Sequence, residues 1–281
     1  MHMVQQPYRD LYHKLLSYDG GALFSDVVAP WLASVKAEKT WPRDVARRAS
    51  PGNELAQEDS WRLYALSRII DLLSIGATRP ESGSWRIAPL TRGQFTEAME
   101  ELGLAAVSAP SFHPFFHEID TVDEAQDSNA PAEIREEVLP GYRIGKLLAC
   151  RARCRIVVGR EQMKKEVADA SVLYWAFARN NRPTADLSVG WGSNSQWRTS
   201  FRLDYEVDGT YYFNHGGERA PTNGDETLET DEILELLRHR CFVRCAKDGS
   251  DLWPYAWCAI ERPNKPLQLT PHSSYARAGR S

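Results

Sequence analysis

A short segment with two histidines has the residue types of a metal site. His113 and His117 lie four residues apart, and Glu118 follows the second histidine. On a helix, residues at this spacing share one face, so two imidazoles can bind one divalent metal ion such as zinc. Glu118 would then act as a base or support a metal ligand, with Asp120 as a further carboxylate ligand. This set predicts, as an alternative function, a metal-dependent hydrolase.

Other features of the segment favour an ordinary structural role. In the zinc-protease motif glutamate directly follows the first histidine, which is not the order found here. The residues also alternate as in a strand, because Phe115, His117 and Ile119 would point to one side. Aromatic packing, or a helix that begins with Pro114, explains the segment without a metal. We therefore expect no cofactor, with zinc as the alternative.

The cysteines provide a second candidate metal site. Two pairs are spaced four residues apart, Cys150 with Cys154 and Cys241 with Cys245. Four thiolates can hold a structural zinc, but zinc knuckles usually have two-residue spacing on a tight turn. We therefore expect free cysteines that behave as small buried hydrophobic residues. The total of five is odd, which fits a reducing cytoplasm better than a disulfide framework.

A long polar segment contains the preferred ligand site. Residues 180–197 are rich in hydrogen-bonding side chains, and two glycines flank Trp191, which leaves room for an exposed ring. Long loops of this kind often bind ligands, although a structural loop with its tryptophans in the core is the competing interpretation. Arg198 and Arg202 follow on a predicted strand, where guanidinium groups can recognise phosphate, carboxylate or a nucleobase. The predicted ligand-binding residues are Arg182, Trp191, Asn194, Trp197, Arg198 and Arg202.

Charge is segregated in the middle of the chain. Residues 118–137 hold eight acidic residues and one basic residue, whereas residues 143–165 hold eight basic residues and one acidic residue. The basic run can contact nucleic-acid phosphates, but it has no aromatic side chain on which a base could stack. A simpler interpretation is that the two runs neutralise each other within one fold. Nucleic acid is therefore the weaker candidate partner.

Hydrophobic periodicity predicts helices in the first hundred residues. Apolar side chains recur at helical spacing over residues 24–31, with a kink or a break at Pro30. A second apolar stripe covers residues 66–73, and Gly76 is placed to end that helix in a left-handed cap.

The clearest local pattern is a helix that begins at Thr91. Thr91 and Gln94 have capping-box spacing, and Leu90 and Phe95 occupy the two positions of a hydrophobic staple. Gly103 is placed to end this helix.

Strands are predicted in the second half of the chain. Polar and apolar residues alternate strictly over residues 196–206, which predicts one strand with Arg202 and Asp204 on its polar face. Asp208 and Gly209 then form the central pair of a type I′ turn, and residues 211–213 return as the partner strand. Helices followed by strands predict an α+β fold, with a helical N-terminal part and then a mixed, mainly antiparallel sheet with helices.

Composition limits the class of protein. The chain has 281 residues, a hydrophobic fraction of 42% and a formal net charge of −4, so it can bury a core and is not built for nonspecific DNA binding. We find no apolar stretch typical of a signal peptide or membrane helix, and we expect a cytoplasmic location with no membrane partner. We expect a helical region at 1–108, an α+β domain at 109–262 and a disordered tail at 263–281.

The tail supplies one resemblance. The segment Arg262-Pro-Asn-Lys-Pro-Leu-Gln-Leu-Thr-Pro271 resembles the translated recombination site at the ends of genes carried in integron cassettes. In those sites the inverted-repeat core is read in frame as Arg-Pro-Asn, followed by a phrase like Lys-Pro-Leu-Gln. The resemblance implies a bacterial gene on a mobile element and does not extend to residues 1–262.

These observations rank three functional hypotheses. The first is a binding or accessory protein that recognises a small-molecule ligand or a protein partner through residues 180–202. The second is the metal-dependent hydrolase that would use His113, His117 and Glu118. The third is a nucleic-acid-binding protein that would use the basic residues of 143–165.

Overall fold

The computed structural model has the predicted α+β architecture, with helices first and mainly antiparallel sheets after them. It describes residues 6–78, 87–163, 197, 201–216, 259–263, 265 and 268–269. The described helices are α1 (Gln6–Ser17), a π-helical turn (Phe24–Val28), α2 (Ala29–Ser34), α3 (Lys36–Arg48), α4 (Gln57–Thr78) and α5 (Arg92–Glu101). None of these described helices has the length and apolar character needed to cross a membrane.

The helical break near Pro30 is confirmed. Pro30 lies in the first turn of α2, where its missing N–H is tolerated, and the π-helical turn directly precedes it. The predicted cap at Gly76 is wrong, because α4 continues to Thr78 and Gly76 is buried within it. This glycine allows a close approach instead: a Cβ atom there would lie 3.0 Å from the Ala88 carbonyl oxygen.

The capping box at the start of α5 is confirmed. The Gln94 N–H donates to Thr91 Oγ1 at 3.1 Å, and the Thr91 N–H donates to Gln94 Oε1 at 2.9 Å. Leu90 and Phe95 are both buried, as a hydrophobic staple requires. Gly103 follows the helix with a φ of +78°, the left-handed conformation that favours glycine.

The strands form two sheets. They are β1 (Ala105–Ala106), β2 (His117–Glu124), β3 (Glu133–Leu139), β4 (Tyr142–Ile144), β5 (Leu147–Cys150), β6 (Ala152–Val158), β7 (Tyr205–Val207), β8 (Thr210–Phe213), β9 (Ala259–Glu261) and β10 (Gln268–Leu269). The larger sheet has the order β1-β4-β5-β7-β8-β9-β10 with antiparallel pairs. The smaller sheet has the order β2-β6-β3, in which β2 and β6 are parallel.

The hairpin at Asp208 and Gly209 is confirmed. Both residues have positive φ angles, 51° and 74°, as a type I′ turn requires, and they connect β7 to β8. The longer strand predicted for residues 196–206 is wrong over residues 201–204, which have no strand structure. Asp204 explains the difference, since it is 3% exposed and points inward to ion pairs rather than outward.

One hydrophobic core joins the helices to the larger sheet. Leu11, Leu66 and Phe95 contribute to it from the helices, and Tyr142 and Tyr205 contribute from the strands. The Phe95 and Tyr142 rings meet edge to face with centroids 6.0 Å apart. A second, smaller core on the three-stranded sheet contains Ile119, Val122, Cys154, Ile156, Val158 and Met163.

The acidic and basic runs lie on adjacent strands of the smaller sheet. Asp120 on β2 forms an ion pair with Arg153 on β6 and lies 3.7 Å from Arg155. On the other side of β6, Arg155 Nη1 donates to Glu136 Oε2 of β3 at 3.0 Å. The two runs therefore neutralise each other here, as the simpler interpretation predicts.

Candidate functional site

The backbone occupies one nitrogen of each histidine in the predicted metal site. His117 begins β2, is 2% exposed, and its Nδ1 accepts from the His113 N–H at 3.0 Å. His113 lies in the preceding turn, and its Nδ1 accepts from the Phe115 N–H at 3.1 Å. The His113 Nε2 atom lies 3.7 Å from Glu261 Oε2, and its ring packs on Tyr211 with centroids 4.5 Å apart. Both histidines are thus integrated into an aromatic cluster.

Glu118 does not join the two histidines. It is the residue after His117 on a strand, so its side chain points to the other face of the sheet. There it lines a cavity of about 30 Å³ between α4 and the strands, together with Asp71, Arg151 and Arg153. Across the described part of the chain, no three His, Cys, Asp or Glu side chains are arranged to hold a metal ion.

The two described cysteines are free, as predicted. Burial raises the pKa of Cys150, which lines the same cavity, and of Cys154, each to about 12. Both thiols are therefore protonated at neutral pH and are poor nucleophiles. Cys241 and Cys245 lie outside the described residues.

Four of the six predicted ligand-binding residues, Arg182, Trp191, Asn194 and Arg198, lie outside the described residues. Trp197 is described and is 2% exposed in the main core. Its ring meets Tyr12 edge to face with centroids 5.2 Å apart, and the Arg68 guanidinium lies 4.6 Å from its centroid. Trp197 therefore supports the fold and offers no exposed ring, as the competing structural interpretation predicts for this residue.

Arg202 belongs to a buried ion-pair cluster, formed by Arg151, Arg202 and Asp204 and called here the Asp204 cluster. Arg202 Nε donates to both Asp204 carboxylate oxygens, at 2.9 and 3.1 Å. Arg151 Nη2 donates to Asp204 Oδ2 at 2.6 Å, and Arg151 Nε donates to the Pro114 carbonyl at 3.1 Å. The Asn214 N–H donates to Asp204 Oδ1 at 2.7 Å. One carboxylate thus holds two guanidinium groups.

The Arg202 guanidinium has unused donor capacity. Its Nη2 atom is buried, yet no described residue accepts a hydrogen bond from it. The side chain as a whole is 13% exposed, so it lies just beneath the surface. A buried donor without an acceptor costs about 1–3 kcal/mol, which makes this atom the strongest pointer to a missing ligand in the cluster.

Sequence analysis missed two members of the Asp204 cluster. Arg151 lies between β5 and β6 and was grouped with the basic run, while Asp204 was placed on the outer face of a strand. The two residues are 53 positions apart, so no local spacing pattern connects them. Only the break in alternation, where a charged residue is buried between Leu203 and Tyr205, marks the site, and it is visible only in three dimensions.

Comparison with known proteins adds no relative to these observations: no protein-family model, curated protein or solved structure matches this chain. The function is therefore argued from the side chains of the site.

Proposed function

We propose that this chain is a cytoplasmic bacterial binding protein, encoded on a mobile element, that recognises a small-molecule ligand or a protein partner through residues 180–202. The observation that carries the proposal is the Arg202 guanidinium, which Asp204 fixes at one edge while Nη2 lacks an acceptor. The resemblance of residues 262–271 to a translated cassette recombination site supports the mobile-element context.

Arg202 has the properties of a preorganised recognition group. A free arginine side chain loses considerable rotamer entropy when it binds a ligand, but Arg202 has already lost that freedom through its bonds to Asp204. Arg151 and Asn214 hold the carboxylate in turn, so the whole cluster keeps its geometry without ligand. The remaining donors are therefore available at low entropic cost.

Thermal unfolding of the full-length protein with a panel of nucleosides, nucleotides, sugars, amino acids and organic acids tests the proposal. We expect at least one compound to raise Tm with increasing concentration. At 100 times Kd the rise should be about 5–10 °C, from about 2.7 kcal/mol of binding free energy. Trp191→Ala and Arg198→Ala should each abolish this rise.

The matched control is Arg135→Ala, because Arg135 is 67% exposed in an ion pair far along the chain from this segment. It should keep the full response to the compound. A panel in which no compound raises Tm, or a response that survives both substitutions in 180–202, would overturn the proposal.

A further inference from the structure

Charge is unevenly shared around Asp204. Its single carboxylate is bonded by two guanidinium groups, those of Arg151 and Arg202. The side chains of Arg151 and Asp204 are only 10% and 4% exposed, so water screens this arrangement weakly. Arg151 also interacts electrostatically with Glu118, whereas Asp204 is the one acidic residue that forms an ion pair with Arg202 within the described part of the chain. Positive charge therefore exceeds negative charge at Arg202.

The free edge of Arg202 has a defined shape. Guanidinium presents five N–H donors in a plane, and Asp204 uses only the one on Nε. Neither Nη atom donates a hydrogen bond to another described residue, and Nη2 is also shielded from solvent. The end of the group that carries Nη1 and Nη2 can therefore donate to two oxygen atoms of one ligand group at once.

A neutral acceptor would satisfy this edge only in part. A carbonyl or hydroxyl oxygen can accept from Nη2, but it leaves the excess positive charge of the cluster uncompensated in a poorly solvated position. A cationic group would add to that charge. An oxoanion supplies both the acceptor atoms and the missing charge, and its hydrogen bonds to guanidinium are the stronger, charge-assisted kind.

We infer that the ligand of this protein presents an oxoanion, a carboxylate or a phosphate group, to the Nη1 and Nη2 edge of Arg202. This inference rests on the proposed function and deepens it by naming the chemical class of the ligand. Arg202 is the binding residue, and Asp204 and Arg151 are positioning residues. Both types of oxoanion present paired oxygen atoms that match the guanidinium edge.

Titration of the full-length protein with inorganic phosphate and with succinate, followed by calorimetry and by Tm, tests this inference. Sodium chloride at the same ionic strength controls for screening. We expect saturable binding of at least one of the two probes. Arg202→Gln should weaken it about 10- to 100-fold, the range expected for a lost charge-assisted hydrogen bond. Arg202→Lys keeps the charge but not the planar edge and should fall between.

The control is Arg155→Gln, since Arg155 is half exposed in its ion pair with Glu136 and should leave the affinity unchanged. Circular dichroism establishes that each variant is folded, and the lysine variant keeps the test decisive if the glutamine variant is not. Binding of phosphate alone or of succinate alone supports the inference and decides which oxoanion fits. Equal affinity in wild type and both Arg202 variants overturns it.

Adenosine and AMP separate this inference from the proposed function, because they differ only in the phosphate group. AMP binding that exceeds adenosine binding and depends on Arg202 supports the oxoanion. If an uncharged compound binds in a manner that requires Trp191 while no oxoanion responds, the proposed function stands and the oxoanion inference fails. If no compound binds at all, both fail.

Discussion

At the residue scale, Asp204 organises the candidate site. Its carboxylate accepts from Arg151, Arg202 and the backbone of Asn214, and its side chain is 4% exposed. Asn214 adopts a positive φ of 50°, a conformation that asparagine tolerates better than most residues, and this places its N–H beside the carboxylate. The site is thus an arrangement of buried charges whose geometry depends on one acidic side chain.

Asp204→Asn should destabilise the protein strongly. The substitution leaves two buried guanidinium groups without their counter-charge, a loss of about 3–5 kcal/mol in the free energy of unfolding. Asp123→Asn is the control, because Asp123 is 54% exposed in its pair with Arg135, and such surface pairs contribute about 0–1 kcal/mol. Urea unfolding of both variants measures the difference. Similar small losses in the two variants would contradict the role assigned to Asp204.

Buried His117 should make the stability depend on pH. Burial is the main cause that lowers the pKa of His117 from its ordinary value of 6.5, so the unfolded chain binds a proton more readily than the folded one. Stability should therefore be full above pH 6.5 and should fall as the pH drops below it. The slope is at most about 1.4 kcal/mol per pH unit for one histidine. Burial lowers the pKa of His215 in the same direction, so it adds to the loss.

Chemical denaturation at pH 7.5 and pH 5.5 measures this dependence. His117→Gln removes one titrating group, so the difference in unfolding free energy between the two pH values should shrink in this variant. An unchanged difference would show that His117 contributes nothing to the pH dependence.

At the scale of elements, local patterns were predictable and long-range ones were not. The capping box at Thr91 and the type I′ turn at Asp208 were predicted correctly, because neighbouring residues determine both structures. Gly76 was assigned to a helix cap, but packing against Ala88 extends α4 past it. The strand predicted for 196–206 also failed over residues 201–204, because buried ion pairs determine where Asp204 points.

The Thr91 cap offers a test of helix α5. Thr91→Ala removes the hydroxyl that accepts from the Gln94 N–H and should lower the free energy of unfolding by about 1 kcal/mol. Thr91→Ser keeps the hydroxyl group and is the matched control, which should be nearly neutral. Thermal unfolding of the two variants provides the measurement. A serine variant as unstable as the alanine variant would show that the hydroxyl is not what stabilises α5.

At the scale of the whole molecule, the helices and the larger sheet share one core. Phe95 of α5 packs on Tyr142 of β4, and Tyr205 of β7 belongs to the same buried cluster as Leu11 of α1. The overall α+β class followed from the order of periodic segments, but this shared core did not, because it depends on contacts between distant parts of the chain. The Asp204 cluster was missed for the same reason.

A fragment of residues 109–262 should therefore not fold alone. Without the helices it would expose the buried aromatic side chains of Tyr142 and Tyr205, whose burial contributes much of the stability of the sheet. Dispersion of the amide signals in a two-dimensional NMR spectrum decides the question, with the full-length chain as the reference. A well-dispersed spectrum of the isolated fragment would contradict the prediction.

The most direct test of the central claim is an arginine side-chain NMR titration of the full-length protein. The Arg202 signal is assigned as the one missing in Arg202→Lys, and phosphate or succinate is then added at constant ionic strength. If Arg202 receives the ligand oxoanion, its Nε and Nη signals move in a saturable way, while the signal of exposed Arg135 stays in place. If a compound binds the protein and leaves the Arg202 signals unmoved, the ligand is recognised elsewhere and the account of this site is wrong.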